Sequence, residues 1–118
     1  MKRKILIVED NVGLSQIQKD WLSQAGYEAV TAMNEPIARS LIRKTQFDLI
    51  LSDVRLPEGD GISLLEWLRK EKKDIPFIIT TEYVSVPDVV RTIKLGARDY
   101  LPKPVHRDYL LELAEDIF

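Results

Sequence analysis

Short apolar runs alternate with segments of helical periodicity along this chain, and that alternation constrains the fold more than any other feature. Five runs are rich in β-branched or apolar residues and are too short for buried helices, at residues 5–8, 28–32, 49–53, 77–81 and 98–101. Because strands that alternate with helices form parallel sheets covered on both faces, we expect a doubly wound α/β fold with five strands and five helices.

Apolar residues between these runs recur every three or four positions, which predicts the helices. Gly26 ends the first helix, Asn34 and Ser85 are the predicted N-caps of the second and fourth, and Gly61 precedes the third. The stripes that mark the five helices are Leu14, Ile17, Trp21 and Ala25, with Leu22 beside them; Ile37, Ala38, Leu41 and Ile42; Ile62, Leu65 and Leu68; Val86, Val89, Val90, Ile93 and Ala97; and Leu110, Leu113, Ala114 and Ile117.

The apolar content of each strand predicts its position in the sheet. Strands one, three and four contain the continuous apolar runs and belong in the centre, whereas strands two and five are more mixed and belong at the edges. Right-handed crossovers then select the order 2-1-3-4-5, which is a flavodoxin-like arrangement.

Composition excludes several classes of protein. The 118 residues predict one domain, 1–118, and the absence of cysteine excludes disulfides, thiol chemistry and cysteine-based zinc sites. The net charge of −2 gives no support for a nucleic-acid or membrane partner. The apolar runs are too short to span a membrane, and the start of the chain lacks the pattern of a signal peptide, so we expect a cytoplasmic protein.

Three carboxylates are predicted to meet at the switch point of this topology. Glu9 and Asp10 follow strand one, and Asp53 ends strand three, so all three lie at the carboxyl edge where ligands of such sheets bind. Two unit charges about 4 Å apart repel by about 4 kcal/mol at an effective dielectric near 20, so the cluster is unfavourable unless a cation shares it or a proton is taken up. An oxygen-only set with room for water suits Mg²⁺.

A hydroxyl and an ammonium are predicted at the same edge. Thr81 closes strand four, and Lys103 follows strand five between two prolines. A carboxylate nucleophile beside a divalent cation, with a lysine and a hydroxyl donor near it, can accept a phosphoryl group. Asp53 is the predicted nucleophile.

Four segments of the chain match one protein family. KILIVEDN, DLILSDVRLPEGDG, PFIITT and KLGARDYLPKP occur in this order from about Lys4 to the last helix. The chain therefore resembles a response-regulator receiver domain of two-component signalling. The run SVPDVVRTIKLGARDYLPKP is similar to receivers of transcriptional activators that have a central ATPase domain.

The resemblance implies a role for each site residue. Asp53 would take a phosphoryl group from a sensor histidine kinase, and the protein would be a regulatory domain rather than an enzyme. Asp10, Asp53 and the backbone carbonyl of Arg55 would bind Mg²⁺, with Glu9 acting through water. Lys103 would contact the phosphoryl group, and the Lys103-Pro104 peptide would be cis.

The resemblance also implies how the signal would travel. Thr81 would be the switch hydroxyl, with Thr80 as its rival, and Tyr100 would turn inward when Thr81 moves. The surface formed by the fourth helix, fifth strand and fifth helix would change and form a symmetric dimer. Candidate residues of that surface are Arg91, Lys94, Asp99, Arg107 and Glu112. An output domain is expected to be absent from this chain.

One departure from the family pattern keeps a second function open. The residue after the switch threonine is commonly small, but here it is Glu82. The alternative is a pseudo-receiver that binds proteins without phosphorylation. Two enzyme or cofactor classes fit less well. Arg55 stands where haloacid-dehalogenase-like enzymes carry a general acid, and Glu9-Asp10-Asn11 replaces the phosphate loop of a flavodoxin-like cofactor binder.

Overall fold

Five parallel strands alternate with five helices in the computed structural model, which describes residues 2–118, so position 1 of the predicted domain lies outside the described residues. The elements in chain order are β1 Lys4–Val8, α1 Val12–Gln24, β2 Glu28–Ala32, α2 Glu35–Lys44, β3 Leu49–Asp53, α3 Gly61–Lys70, β4 Phe77–Thr81, α4 Val86–Lys94, β5 Asp99–Pro102 and α5 Arg107–Ile117. The predicted strands agree with these bounds to within one residue at each end.

The strands form one sheet in the order β2-β1-β3-β4-β5, which confirms the predicted topology. Every neighbouring pair is parallel, and the registers place Val8 opposite Ser52, Asp53 opposite Thr80, and Thr81 opposite Pro102. The carboxyl ends of β1, β3, β4 and β5 are therefore level. The residues that follow these strands emerge at one edge of the sheet.

Alternate residues of the central strands point into two separate cores. Leu6, Ile50 and Ile79 pack in the core that α2 and α3 cover, whereas Ile7 and Leu51 pack in the core that α1 and α5 cover. Complete burial of one such side chain contributes about 1.5 to 3 kcal/mol, so the two cores hold the sheet rigidly beneath its functional edge.

Helix α1 buries only part of its predicted apolar stripe. Ile17 is 47% exposed and Ala25 is also exposed, whereas Ser15, Gln18 and Leu22 are buried. Leu22, which lies beside the predicted stripe, is in the core, and Trp21 of the stripe packs against it. The helix is therefore present as predicted, and its buried face is centred on Leu22 rather than on Ile17.

Helix α4 presents most of its apolar stripe to solvent. Val86 is 73% exposed and Ile93 is 64% exposed, whereas Thr92 is fully buried and donates its hydroxyl to the carbonyl of Val89 at 2.9 Å. The stripe predicted the helix correctly but not its orientation. Within residues 2–118 no helix combines the length and hydrophobicity that a membrane span requires.

Candidate functional site

Lys103 joins the ends of β1 and β3. Its Nζ atom donates to Oε2 of Glu9 and to Oδ2 of Asp53, each at 2.8 Å. All three side chains are at least nine-tenths buried. Glu9, Asp53 and Lys103 therefore lie together, as the sequence predicts, and one ammonium holds two carboxylates.

Asp10 completes an acidic cluster at this edge. One carboxylate oxygen from each of Glu9, Asp10 and Asp53 lies within 4.8 Å of the others. Asp10 is exposed, so the cluster opens to solvent on its side, and Asn11 donates its backbone N–H to Oε1 of Glu9 at 3.3 Å. Three oxygen donors with an open side fit Mg²⁺, which prefers carboxylates together with water.

The positive charge of Lys103 does not fully offset the effects that disfavour the ionised form of Glu9. Burial raises the pKa of the Glu9 carboxyl, Lys103 opposes this rise, and the negative charge of Asp53 adds to it. Burial disfavours the Lys103 ammonium, but its hydrogen bonds to Asp53 and Glu9 outweigh burial and raise its pKa. Lys103 therefore stays charged at neutral pH, and a further cation would favour ionised Glu9.

The segment after β3 is held close to Asp53 by its backbone. Arg55 and Asp60 form an antiparallel β-bridge, and the N–H of Gly61 donates to the carbonyl of Val54 at 2.8 Å. A Cβ atom at position 61 would collide with the carbonyl oxygen of Asp53, so this close approach requires glycine. The backbone N–H of Arg55 lies 3.4 Å from Oδ1 of Asp53. The role of the Arg55 carbonyl as a metal ligand stays a prediction.

The two candidate switch threonines have different hydroxyl partners. The hydroxyl of Thr80 donates to the carbonyl of Ser52 at 3.5 Å, between β4 and β3. The hydroxyl of Thr81 instead accepts from the N–H of Tyr83 and donates to its carbonyl, each at 3.1 Å. Thr81 is thus tied to the β4–α4 segment, the connection that a switch hydroxyl would have to move, but its role stays a prediction.

Tyr100, the predicted switch aromatic, is partly buried beside one of the two cores. Its hydroxyl oxygen is inaccessible to solvent and has no hydrogen-bond partner among the described residues. The ring packs against the core that lies between the sheet and α2 and α3. The role of Tyr100 as the aromatic that turns with Thr81 stays a prediction. The Lys103-Pro104 peptide is cis, as expected.

Sequence reasoning missed two features near the site. The guanidinium of Arg55 lies 5.1 Å from the ring centroid of Tyr83, so the residues two positions after Asp53 and Thr81 contact each other. This parallel spacing was the only sequence signal for the contact. Glu35 is a buried carboxylate against the β3–α3 segment. At the first position of a helix it has the pattern of an ordinary N-terminal acidic residue, so no local signal indicates its burial.

Comparison with known proteins gives a consistent result. The family model described as "Response regulator receiver domain" matches residues 5–115. The Response regulator protein PilR of Pseudomonas aeruginosa is 33% identical over 112 residues, which are 95% of this chain and 25% of that protein. The Transcriptional regulatory protein ZraR of Salmonella typhimurium is 39% identical over 114 residues, which are 97% of this chain and 26% of that protein. The chain thus spans about a quarter of the length of these two relatives.

Solved structures of similar sequence have the same fold. A response regulator receiver domain protein (CheY-like) from Methanospirillum hungatei JF-1 is 32% identical with a TM-score of 0.93, over 99% of this chain and 94% of that chain. The non-phosphorylated HemR receiver domain from Leptospira biflexa is 37% identical with a TM-score of 0.91, over 98% of this chain and 94% of that chain.

Proposed function

This chain belongs to the family of response regulator receiver domains, and on that premise we propose that Asp53 accepts a phosphoryl group from a sensor histidine kinase in a Mg²⁺-dependent reaction. One observation carries the proposal. The Lys103 ammonium lies 2.8 Å from carboxylate oxygens of both Asp53 and Glu9, and Asp10 lies in the same acidic cluster. A nucleophilic carboxylate with a fixed cation beside it suits phosphoryl transfer, which depends on positioning and on neutralisation of charge.

In the proposed step, an oxygen of Asp53 attacks the phosphorus of a phosphohistidine. A P–O bond forms, the P–N bond breaks, and the electron pair stays on the histidine nitrogen. Lys103 offsets the charge of the transferred group and holds Asp53 in place. Thr81 gives up its bond to the carbonyl of Tyr83 and donates to a phosphoryl oxygen instead. Mg²⁺, when bound by Asp10, Asp53 and the Arg55 carbonyl, with Glu9 acting through water, would add positive charge at the transferring group.

The test is the mass of the intact protein after incubation with Mg²⁺ and a small acyl-phosphate donor. We expect one phosphoryl adduct on the wild type, none on Asp53→Asn, and none on the wild type in excess chelator. Asp74→Asn is the matched control because Asp74 is an exposed aspartate outside the acidic cluster, and it should accept the group normally. An adduct on Asp53→Asn, or none on the folded wild type with Mg²⁺, would contradict the proposal.

The proposed consequence of phosphorylation is a change in the face made by α4, β5 and α5. Its candidate residues include Lys94 and Glu112, which are exposed, together with Asp99, Arg91 and Arg107. Arg91 already pairs with Glu66 at 2.7 Å, and Arg107 with Asp108 at 3.1 Å, so a dimer contact through them would have to exchange partners. We propose a homodimer through this face, which sedimentation velocity with and without the phosphodonor would test.

We propose that residues 1–118 form one regulatory domain that controls an output domain or partner. Its relatives include transcriptional regulatory proteins, which supports a transcriptional output and a cytoplasmic location. We propose that the domain also promotes its own phosphorylation and dephosphorylation.

A pseudo-receiver remains the second candidate because Glu82 follows the proposed switch threonine. Glu82 is exposed, so its carboxylate has room to turn toward or away from an incoming phosphoryl group. Comparison of the wild type with Glu82→Ala separates the alternatives: under the main proposal both proteins form the adduct, and they differ in phosphorylation or decay rate. Identical rates would remove Glu82 as a modulator, and a folded wild type that never forms the adduct would favour the pseudo-receiver.

A further inference from the structure

Glu35 is a buried carboxylate that the proposed phosphoryl site does not use. It is the first residue of α2 and is 5% exposed. Its Oε1 atom accepts from the backbone N–H of Asp60 at 3.0 Å, and its Oε2 atom pairs with the guanidinium of Arg39. Arg39 in turn lies 5.1 Å from the ring centroid of Trp67. A buried charge is tolerated only where it is paired and hydrogen-bonded, and both conditions hold for Glu35.

The backbone that Glu35 holds has an uncommon conformation. Glu58 and Gly59 both have positive φ angles, 53° and 116°. A non-glycine residue in this region costs about 1 kcal/mol or more, so the turn persists only where its surroundings support it. The backbone of Gly59 also lies directly against Glu35, because a Cβ atom at position 59 would collide with the Glu35 carboxylate. Glu35 therefore supports the turn at two consecutive residues.

The supported turn continues directly to the proposed metal ligand. Asp60, whose N–H Glu35 binds, forms a β-bridge with Arg55. Asp60 also caps α3, because its Oδ1 atom accepts from the N–H of Ser63 at 2.6 Å. The two ends of the β3–α3 segment are thus fixed to each other, and Glu35 fixes them to α2. Movement of Asp60 away from Glu35 would displace the backbone of Arg55.

We propose that Glu35 is a positioning residue that sets the place of the Arg55 carbonyl and thereby the Mg²⁺ affinity of the site. This inference rests on the proposed function, in which the Arg55 carbonyl is a metal ligand. Glu35 acts through the reach of its carboxylate to the Asp60 N–H, not through its negative charge. Residues that orient metal ligands from outside typically change metal affinity by about 10- to 100-fold when they are removed.

Two substitutions separate the effect of side-chain length at position 35 from the effect of its negative charge. Glu35→Asp keeps the charge but is one methylene too short to reach the Asp60 N–H, whereas Glu35→Gln loses the charge but keeps an oxygen at the same reach. We expect Mg²⁺ to bind about tenfold more weakly to Glu35→Asp and within about twofold of the wild type to Glu35→Gln. A long-range charge effect predicts the opposite order.

Isothermal titration of the metal-free proteins with Mg²⁺ measures the affinities. Amide hydrogen exchange without metal provides a second measurement, in which Arg55 and Asp60 should exchange faster in Glu35→Asp than in the wild type. Ile42→Val is the control for general loss of stability. Ile42 is a buried residue of α2 that lines a surface groove with Phe47 and Pro76, residues at the opposite edge of the sheet. Its Mg²⁺ affinity should equal that of the wild type.

The outcomes distinguish this inference from the function on which it rests. A folded wild type that binds no Mg²⁺ would overturn the proposed function and this inference with it. A wild type that binds Mg²⁺, with Glu35→Asp binding equally well or Glu35→Gln binding less well than Glu35→Asp, would overturn the inference alone. Circular dichroism confirms that each variant is folded before titration.

Discussion

Replacement of Lys103 by methionine removes the one group that the described residues place between Glu9 and Asp53. Methionine keeps most of the apolar length of the lysine side chain, so the packing at the end of β5 should change little. The Lys103 ammonium donates to both carboxylates at 2.8 Å, and all three side chains are 10% exposed or less. The substitution therefore leaves two buried carboxylates without their cation.

The expected loss of stability follows from the charges that remain. Carboxylate oxygens of Glu9 and Asp53 lie within 4.8 Å of each other, and at an effective dielectric near 20 their repulsion at that separation is about 3.5 kcal/mol. Removing one partner of a buried ion pair typically costs about 3 to 5 kcal/mol, which agrees in size. We expect Lys103→Met to lower the free energy of unfolding by about 3 kcal/mol at pH 8 in metal-free buffer.

Urea unfolding in chelator at pH 8 and pH 5 measures this loss and its electrostatic origin. At pH 5 the loss should be smaller, because a proton taken up by one carboxyl of the variant relieves the repulsion. Saturating Mg²⁺ should stabilise the variant more than the wild type, because the variant contains more uncompensated negative charge. Lys70→Met is the control at an exposed lysine of α3 and should change stability by less than about 0.5 kcal/mol.

Two results would refute this reasoning. A loss below about 1 kcal/mol at pH 8 would mean that the carboxylates do not need the ammonium. A loss of equal size at pH 8 and pH 5 would mean that packing, rather than charge, accounts for the effect.

Three further substitutions test other parts of the site. Tyr100→Phe removes a buried hydroxyl that lacks a partner among the described residues, so the free energy of unfolding in urea should be unchanged or increase by about 1 kcal/mol. A clear loss of stability would contradict this reasoning. The pKa of Glu9 is raised in the folded protein, so in metal-free buffer the contribution of Glu9 to the free energy of unfolding should fall as the pH rises from 4.5 through the folded pKa. The free energy of unfolding of Glu9→Gln, measured against pH, should lack this decrease. Gly61→Ala forces a Cβ atom against the Asp53 carbonyl, so it should lower the free energy of unfolding by about 1 to 3 kcal/mol and slow formation of the phosphoryl adduct. Unchanged stability and an unchanged rate would contradict the close approach of these two backbones.

The strands were predictable because their signal is local. The bounds of β2 and β4 coincide with the predicted residues 28–32 and 77–81, and the central strands are those that contain a continuous apolar run. A strand buried on both faces carries a continuous apolar run, as in residues 49–51 and 77–79, so its sequence indicates its place in the sheet. β5 is shifted by one residue, as expected for a mixed edge strand with a weaker pattern.

The orientation of the helices was less predictable. Helical periodicity identified α1 and α4, but Ile17 and Ile93 face solvent while Gln18 and Thr92 are buried. A stripe of apolar residues shows that a helix can form with one apolar face. Which face meets the sheet depends on the neighbouring elements, and those are set by residues far along the chain.

The amino-acid sequence determined which side chains meet at the carboxyl edge of the sheet. Parallel strands end at a common edge, so Glu9, Asp53 and Lys103 had to come together once the order of the strands was known. Only the tertiary structure decided how they meet, with one ammonium between two carboxylates, and that Glu35 is buried against Gly59 and Asp60. Periodicity and strand ends are properties of neighbouring residues, whereas burial and charge pairing arise between residues that the fold alone brings into contact.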